Sequence, residues 1–230
     1  SMPKMTTSDL AMDEHLLDTP VSREALDRLK LGDIVRLNGV VFTGRIGLYK
    51  KLFEEGAEPP VDIASLTNAT FHCSPAVGEK SPGEWEVSAV TATASFRFEK
   101  YLPLLMEQHN TRVIIGKGGM SSEFYQNHFK RLGAVFLNTV GYGIGAQYGR
   151  GVKKVEAVHW LDELGIAQAM WVLRVKNFGP FLVECDTSGN SLYQMAQSET
   201  NPELKKLYEG LPLPTLKRLG EVHNPEDEVF

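Results

Sequence analysis

Apolar positions along the chain keep two rhythms, a β-branched period of two and a helical spacing of three and four. Residues 1–18 are polar and without pattern, and they read as a flexible arm. Thr19-Pro20-Val21-Ser22 then opens a helix to about Lys30, with proline early and Glu24 in the first turn. Residues 33–42, DIVRLNGVVF, are β-branched and predict a strand. From Gly44 to Gly56 the rhythm becomes helical, with Leu48, Leu52 and Phe53 on one side and Lys50, Lys51, Glu54 and Glu55 elsewhere.

Past Pro59-Pro60 the pattern predicts a short strand near residues 69–73, a polar loop over 78–83 and a strand over 85–93. A helix over 99–108 is confined or bent by Pro103. Regular alternation follows. Strand 113–115 leads to helix 121–132, with Ser121 as its cap, and then to strand 134–140. A glycine-rich turn and a short helix precede strand 154–158. Two further strands, 169–175 and 181–185, flank Asn177-Phe178-Gly179-Pro180, and a turn over 187–190 gives way to helix. The expected organisation is one mixed α/β domain over 19–213 with a layered sheet, and a polar tail over 214–230.

Composition narrows the partners. Net charge is −5 over 230 residues, with the basic residues dispersed, so no stripe for nucleic acid is present in the sequence. The longest apolar runs, such as AVFLNTV at 134–140, are far shorter than a bilayer span. No basic and apolar leader opens the chain, and a cytoplasmic location is expected. The two cysteines, Cys73 and Cys185, lie far apart. An iron–sulfur cluster takes three or four thiolates, so this sequence alone does not supply a cluster site.

Four segments hold candidate chemistry. Gly116-Lys117-Gly118-Gly119-Met120 lies between a strand and a helix, where glycine amides, a helix N-terminus and one lysine suit a carboxylate or phosphate. The spacing is not that of a Walker loop. Phe42-Thr43-Gly44-Arg45 puts a guanidinium fork at a strand end. Thr93 and Arg97, four apart, face one site if a helix begins there. Gly141 to Ala146 matches G-x-G-x-x-A, but Asp162 and Glu163, some twenty residues on, do not sit in a strand-like context. Each segment alone is also what an ordinary turn with a solvated cation would show. The six histidines have no ligand spacing, and His72, beside Cys73, reads as packed.

Taken in order, these pieces resemble the β region of class I fumarases and L(+)-tartrate dehydratases. The resemblance rests on Thr43-Gly44-Arg45, His72-Cys73-x-Pro75, the Thr93…Arg97 turn, Gly116 to Met120, Trp160-Leu-Asp-Glu-Leu-Gly165 and Asp186-x-x-Gly-Asn-x-Leu-Tyr193, and it covers about residues 19–193. It implies the swivelling β/β/α layered domain. It also implies a [4Fe–4S] cluster held by a partner α subunit through three cysteines, in a heterodimer or α2β2 assembly acting on a small carboxylic acid. Carried over by position, Arg45 and Arg97 bind a substrate carboxylate, Lys117 and Gly118 complete that site, and Thr93 matches the proposed base. A free hydroxyl is a poor base near neutral pH, so that role demands nearby cationic charge.

The sequence also departs from the family pattern. Where the family reads T-G-R-D-x-x-H, Ile46 and Tyr49 replace the acid and the histidine. Ala94, Phe96 and Phe98 replace more polar or smaller positions in the threonine turn. With Ile46, Tyr49, Ala94 and Phe96 shaping the pocket, the expected substrate is larger or less polar than malate or tartrate. The alternative is a catalytically silent carboxylate-binding or assembly subunit.

Overall fold

The structure, a computed structural model, describes residues 12–140 and 145–197. The expected tail over 214–230, most of the glycine-rich turn and the first eleven residues of the expected arm lie outside the described residues. Chain order runs β1 (Glu14–Asp18), α1 (Arg23–Asp27), β2 (Ile34–Thr43), α2 (Ile46–Phe53), α3 (Ile63–Leu66), β3 (Ala69–Phe71), β4 (Cys73–Ser81) and β5 (Glu84–Ala92). A 3₁₀ turn (Ser95–Phe98) leads to α4 (Leu102–His109), β6 (Val113–Gly116), α5 (Ser122–Phe124), a π turn (Tyr125–Phe129), α6 (Lys130–Leu132) and β7 (Val135–Thr139). The chain continues through α7 (Gly145–Gly151), β8 (Val152–His159), α8 (Leu161–Leu164), β9 (Met170–Cys185) and α9 (Leu192–Gln197).

β2, β3, β6 and β7 pair in parallel, and β9 runs antiparallel to both β7 and β2. The pairings therefore return to their start and close a ring of strands. β1 adds to the first half of β2 and β8 to the first half of β9, while β4 and β5 form a separate two-stranded hairpin.

The strands of the ring are buried on both faces, which parallel strands require. Val35, Leu37, Val41, Phe71, Ile115 and Leu137 join one core cluster, which also takes in Val87 and Val90 of the hairpin and Tyr148 of α7. Phe42, Ile114 and Phe136 point the other way, into a second cluster with Leu48 and Leu52 of α2, Leu105 of α4 and Phe129 of the π turn. A mixed α/β, sheet-dominated domain results.

Several expectations change. Glu14–Asp18, read as part of a flexible arm, is strand β1 in register with Ile34 to Asn38. Its polar alternation hid it, because Leu16 faces outward at 58% exposure. The polar loop expected over 78–83 is largely hairpin, since β4 reaches Ser81 and β5 begins at Glu84. The two strands expected on either side of Asn177 to Pro180 are one strand, β9, whose register against β2 shifts around Leu37. The helix after Ser121 contains a π turn, and Pro103 lies in the first turn of α4, where its missing N–H costs nothing. Among the described residues no helix is long and apolar enough to cross a membrane.

Candidate active site

Parallel β2, β3 and β6 end on the same side of the ring, and ligands of α/β folds collect outside such carboxyl ends. Arg45 follows β2 in extended backbone as the N-cap residue of α2. Its guanidinium donates to the Ser74 hydroxyl of β4, and Ser74 in turn donates to the Ala167 carbonyl at 3.3 Å. Gly47 N–H donates to Gln168 Oε1 at 2.9 Å, satisfying a donor of the first turn of α2. Arg45 is thus aimed by side chains far away in sequence.

Thr93 and Lys117 meet through the backbone. Thr93 N–H donates to the His72 carbonyl at 2.8 Å, Lys117 N–H to the Thr93 carbonyl at 3.3 Å, and Ser95 N–H to the Lys117 carbonyl at 3.1 Å. Ala94 and Lys117 form a parallel bridge. Thr93 is therefore the end of a strand ladder rather than part of a helix shared with Arg97. Arg97 lies exposed in the 3₁₀ turn, its guanidinium 6.0 Å from the Phe96 ring centroid.

The glycine segment differs from its sequence reading. Gly118 and Gly119 adopt φ of +81° and +74°, which only glycine holds easily. Several amides here, however, are committed within the protein. Gly118 N–H donates to Asn138 Oδ1 at 3.1 Å, Met120 N–H to the Tyr125 hydroxyl at 2.8 Å, and Ser121 N–H to Glu99 Oε1 at 2.9 Å. The positive end of the short helix α5 already faces the Glu99 carboxylate. The segment works as a bracket that fixes the Lys117 backbone, and Gly118 contributes conformation rather than its N–H.

Beneath this bracket runs a dry hydrogen-bond chain that sequence reasoning missed. The Tyr49 hydroxyl lies 2.8 Å from His72 Nε2, and His72 Nδ1 lies 2.7 Å from Ser95 Oγ. All three residues are fully buried. Burial holds the His72 imidazole down at about 3, so it is neutral at ordinary pH, and burial pushes the Tyr49 hydroxyl up. Two glycines make room for the chain. A Cβ on Gly44 would stand 2.2 Å from the Tyr49 hydroxyl, and one on Gly116 would stand 1.7 Å from Ser95 Oγ. Glycine at those two positions, within motifs already singled out, is the one sequence signal that could have pointed to it.

Of the residues expected to shape a pocket, Ile46, Ala94 and Phe96 are half-buried at the ends of these elements. Tyr49 and Phe98, by contrast, lie wholly inside, with ring centroids 5.4 Å apart. Tyr49 is thus a core residue with a buried polar tip, not a wall residue.

The chain does not fit an iron–sulfur cluster as its holder. Cys73 and Cys185 belong to different core clusters, and burial pushes both thiols up, away from the thiolate form that binds metal. Among the described residues no three His, Cys, Asp or Glu side chains gather as a metal site.

The chain is 35% identical over 179 residues to the L(+)-tartrate dehydratase subunit beta of Escherichia coli strain K12, covering 77% of this chain and 85% of that one. A Methanocaldococcus jannaschii protein named for the same subunit is 34% identical over 194 residues, covering 83% of this chain and 93% of its own. A Geobacillus stearothermophilus protein named for class I fumarate hydratase is 36% identical over 210 residues, 86% of this chain, which spans only 39% of that longer relative. The family described as fumarase C-terminus matches residues 1–196, and the chain belongs to that family.

Proposed function

We propose that this chain is the β-type component of a hydro-lyase that adds or removes water across the C2–C3 bond of a fumarate-, malate- or tartrate-like carboxylic acid. Its fold is taken to be the family's swivelling β/β/α domain, paired with an α subunit, in an α2β2 complex. The observation that most supports the reading is the hydrogen-bonded run from His72 through Thr93 to Lys117, with Arg45 held at Ser74 of the strand that follows His72. The backbones of Thr93 and Lys117 and the guanidinium of Arg45 are thereby held at one end of the ring. Names of relatives as a dehydratase subunit and a fumarate hydratase support the same reaction class.

In this proposal Arg45 and Lys117 bind and orient a substrate carboxylate, with Arg97 reaching it from the exposed turn. Gly118 holds the backbone turn that presents Lys117. Thr93 exchanges the C3 proton, and the Lys117 charge on the adjoining backbone lowers the cost of its deprotonated form. A [4Fe–4S] cluster on the partner chain supplies a Lewis-acidic iron when bound there. Ile46 and Phe96 make the surroundings apolar, which favours an acid with fewer hydroxyls than tartrate.

Co-expression with a cluster-carrying α subunit under anaerobic conditions tests the reading. The expected result is hydration of at least one acid from a panel of unsaturated mono- and dicarboxylic acids. Lys117→Ala should lower kcat/KM by roughly 10²–10³, the size expected when a group stabilising developing charge is removed. A folded, cluster-loaded complex that hydrates none of the panel would sink the catalytic reading and leave the silent binding subunit.

A further inference from the structure

A second charged region lies at the other end of β2. Arg36 and Arg45 are nine positions apart on extended chain, which separates them by roughly 25–30 Å. Around Arg36 opens a cavity of about 330 Å³, within the size range of small-molecule sites. Among the described residues its lining includes Arg36, Arg150, Lys153 and Lys176 and no carboxylate. Four cations without an acid are notable in a chain of net charge −5.

The setting is partly built. Gly151 and Gly179 line the cavity with bare backbone. A Cβ on Gly151 would lie 2.7 Å from Phe178 Cδ2, and one on Gly179 would lie 2.8 Å from the Val35 carbonyl. Neither position leaves room for a side chain, so tightly packed backbone forms this part of the cavity wall. Lys153 Nζ donates to the Arg150 carbonyl at 2.9 Å, drawing the two cationic residues together. Arg36 is 29% exposed and lies 3.8 Å from Glu14, which steadies the guanidinium from outside the lining. Such concave positive surfaces focus their field on an anion, and the planar guanidinium of arginine grips phosphate or carboxylate with two parallel bonds.

We propose that this cavity binds a small polyanion carrying at least two phosphate or carboxylate groups. The site is separate from the candidate active site and stands whether or not the hydro-lyase reading survives. Its shape, a pit between β2, β9 and the α7–β8 junction, suits a compact solute.

Calorimetric titration of the full chain with inorganic pyrophosphate, and separately with citrate, tests it. Saturable one-site binding of at least one probe is expected, and the preferred probe tells phosphate chemistry from carboxylate chemistry. The double variant Arg150→Gln/Lys176→Gln should weaken that binding at least roughly tenfold, since each change removes a charged hydrogen-bond donor. Lys117→Gln should leave it unchanged. All four cations are on the surface, so the variants keep the fold. Three results overturn the proposal: no saturation by either probe at about 5 mM, far above the micromolar range of a useful site; equal affinity in the double variant; or loss of binding in Lys117→Gln instead.

Discussion

The two ends of β2 handle polarity in opposite ways. Near Arg45 the underlying groups are uncharged, dry and hydrogen-bonded one to the next, from Tyr49 to His72 to Ser95. Near Arg36 the polar groups are cations open to water, with one carbonyl and one outlying carboxylate to steady them. Positional accuracy at the first end comes from burial, because an unsatisfied buried group is expensive. At the second end the field is long-ranged but the side chains are loosely held, so it attracts without fixing geometry. A reaction needs the first kind of region, whereas capture of an anion needs only the second.

That contrast can be broken most severely at Gly116. Gly116→Ala forces a Cβ onto Ser95, whose rotation away would cost its bond to His72 and still leave Phe136 crowded. A loss of about 3 kcal/mol is expected in denaturant unfolding, and a loss under about 0.5 kcal/mol would mean the end of β6 is soft.

Acid should be the next largest perturbation. His72 titrates at about 3 when folded against an ordinary 6.5, so the unfolded chain binds the proton first as pH falls. Its stabilising effect is complete above 6.5 and is lost progressively down to about 3, at up to about 1.4 kcal/mol per pH unit. Unfolding free energies measured between pH 7 and pH 5 should fall along such a slope, and His72→Gln should flatten it. An unchanged slope in the variant would move the origin of acid sensitivity elsewhere.

Tyr49→Phe keeps the ring packing and removes only the hydroxyl, leaving His72 Nε2 with one partner fewer in a dry core. The expected cost is about 1–2 kcal/mol. Smallest of all, Lys176→Gln at the open end should change stability by less than about 0.5 kcal/mol while altering anion binding. If Lys176→Gln costs more than Tyr49→Phe, the division between a rigid and a loose end fails.

The sequence already displayed much of this, but unevenly. β6 and β7 were legible because Val113 to Ile115 and Val135 to Leu137 are apolar on both faces. α2 was legible from Leu48 and Leu52, one turn apart. β1 and the outer half of the hairpin were not, since exposed strands such as Glu14–Asp18 carry the polar residues of loops and owe their form to a neighbour's backbone. Lys117 stood out through its glycines. The chain of Tyr49, His72 and Ser95 did not, because its members lie 23 positions apart at each step and each alone is an ordinary core residue. The commitment of Gly118 N–H to Asn138, twenty positions on, was equally invisible, which is why the glycine segment looked like an open anion nest.

The closed run of pairings from β2 through β3, β6, β7 and β9 back to β2 has a mechanical consequence. A hoop without a seam cannot gape at one place, so the backbones bearing Arg45 and Lys117 cannot part unless several ladders tear together. A pull on one strand is therefore shared among its neighbours, as load is shared around the staves of a hooped barrel.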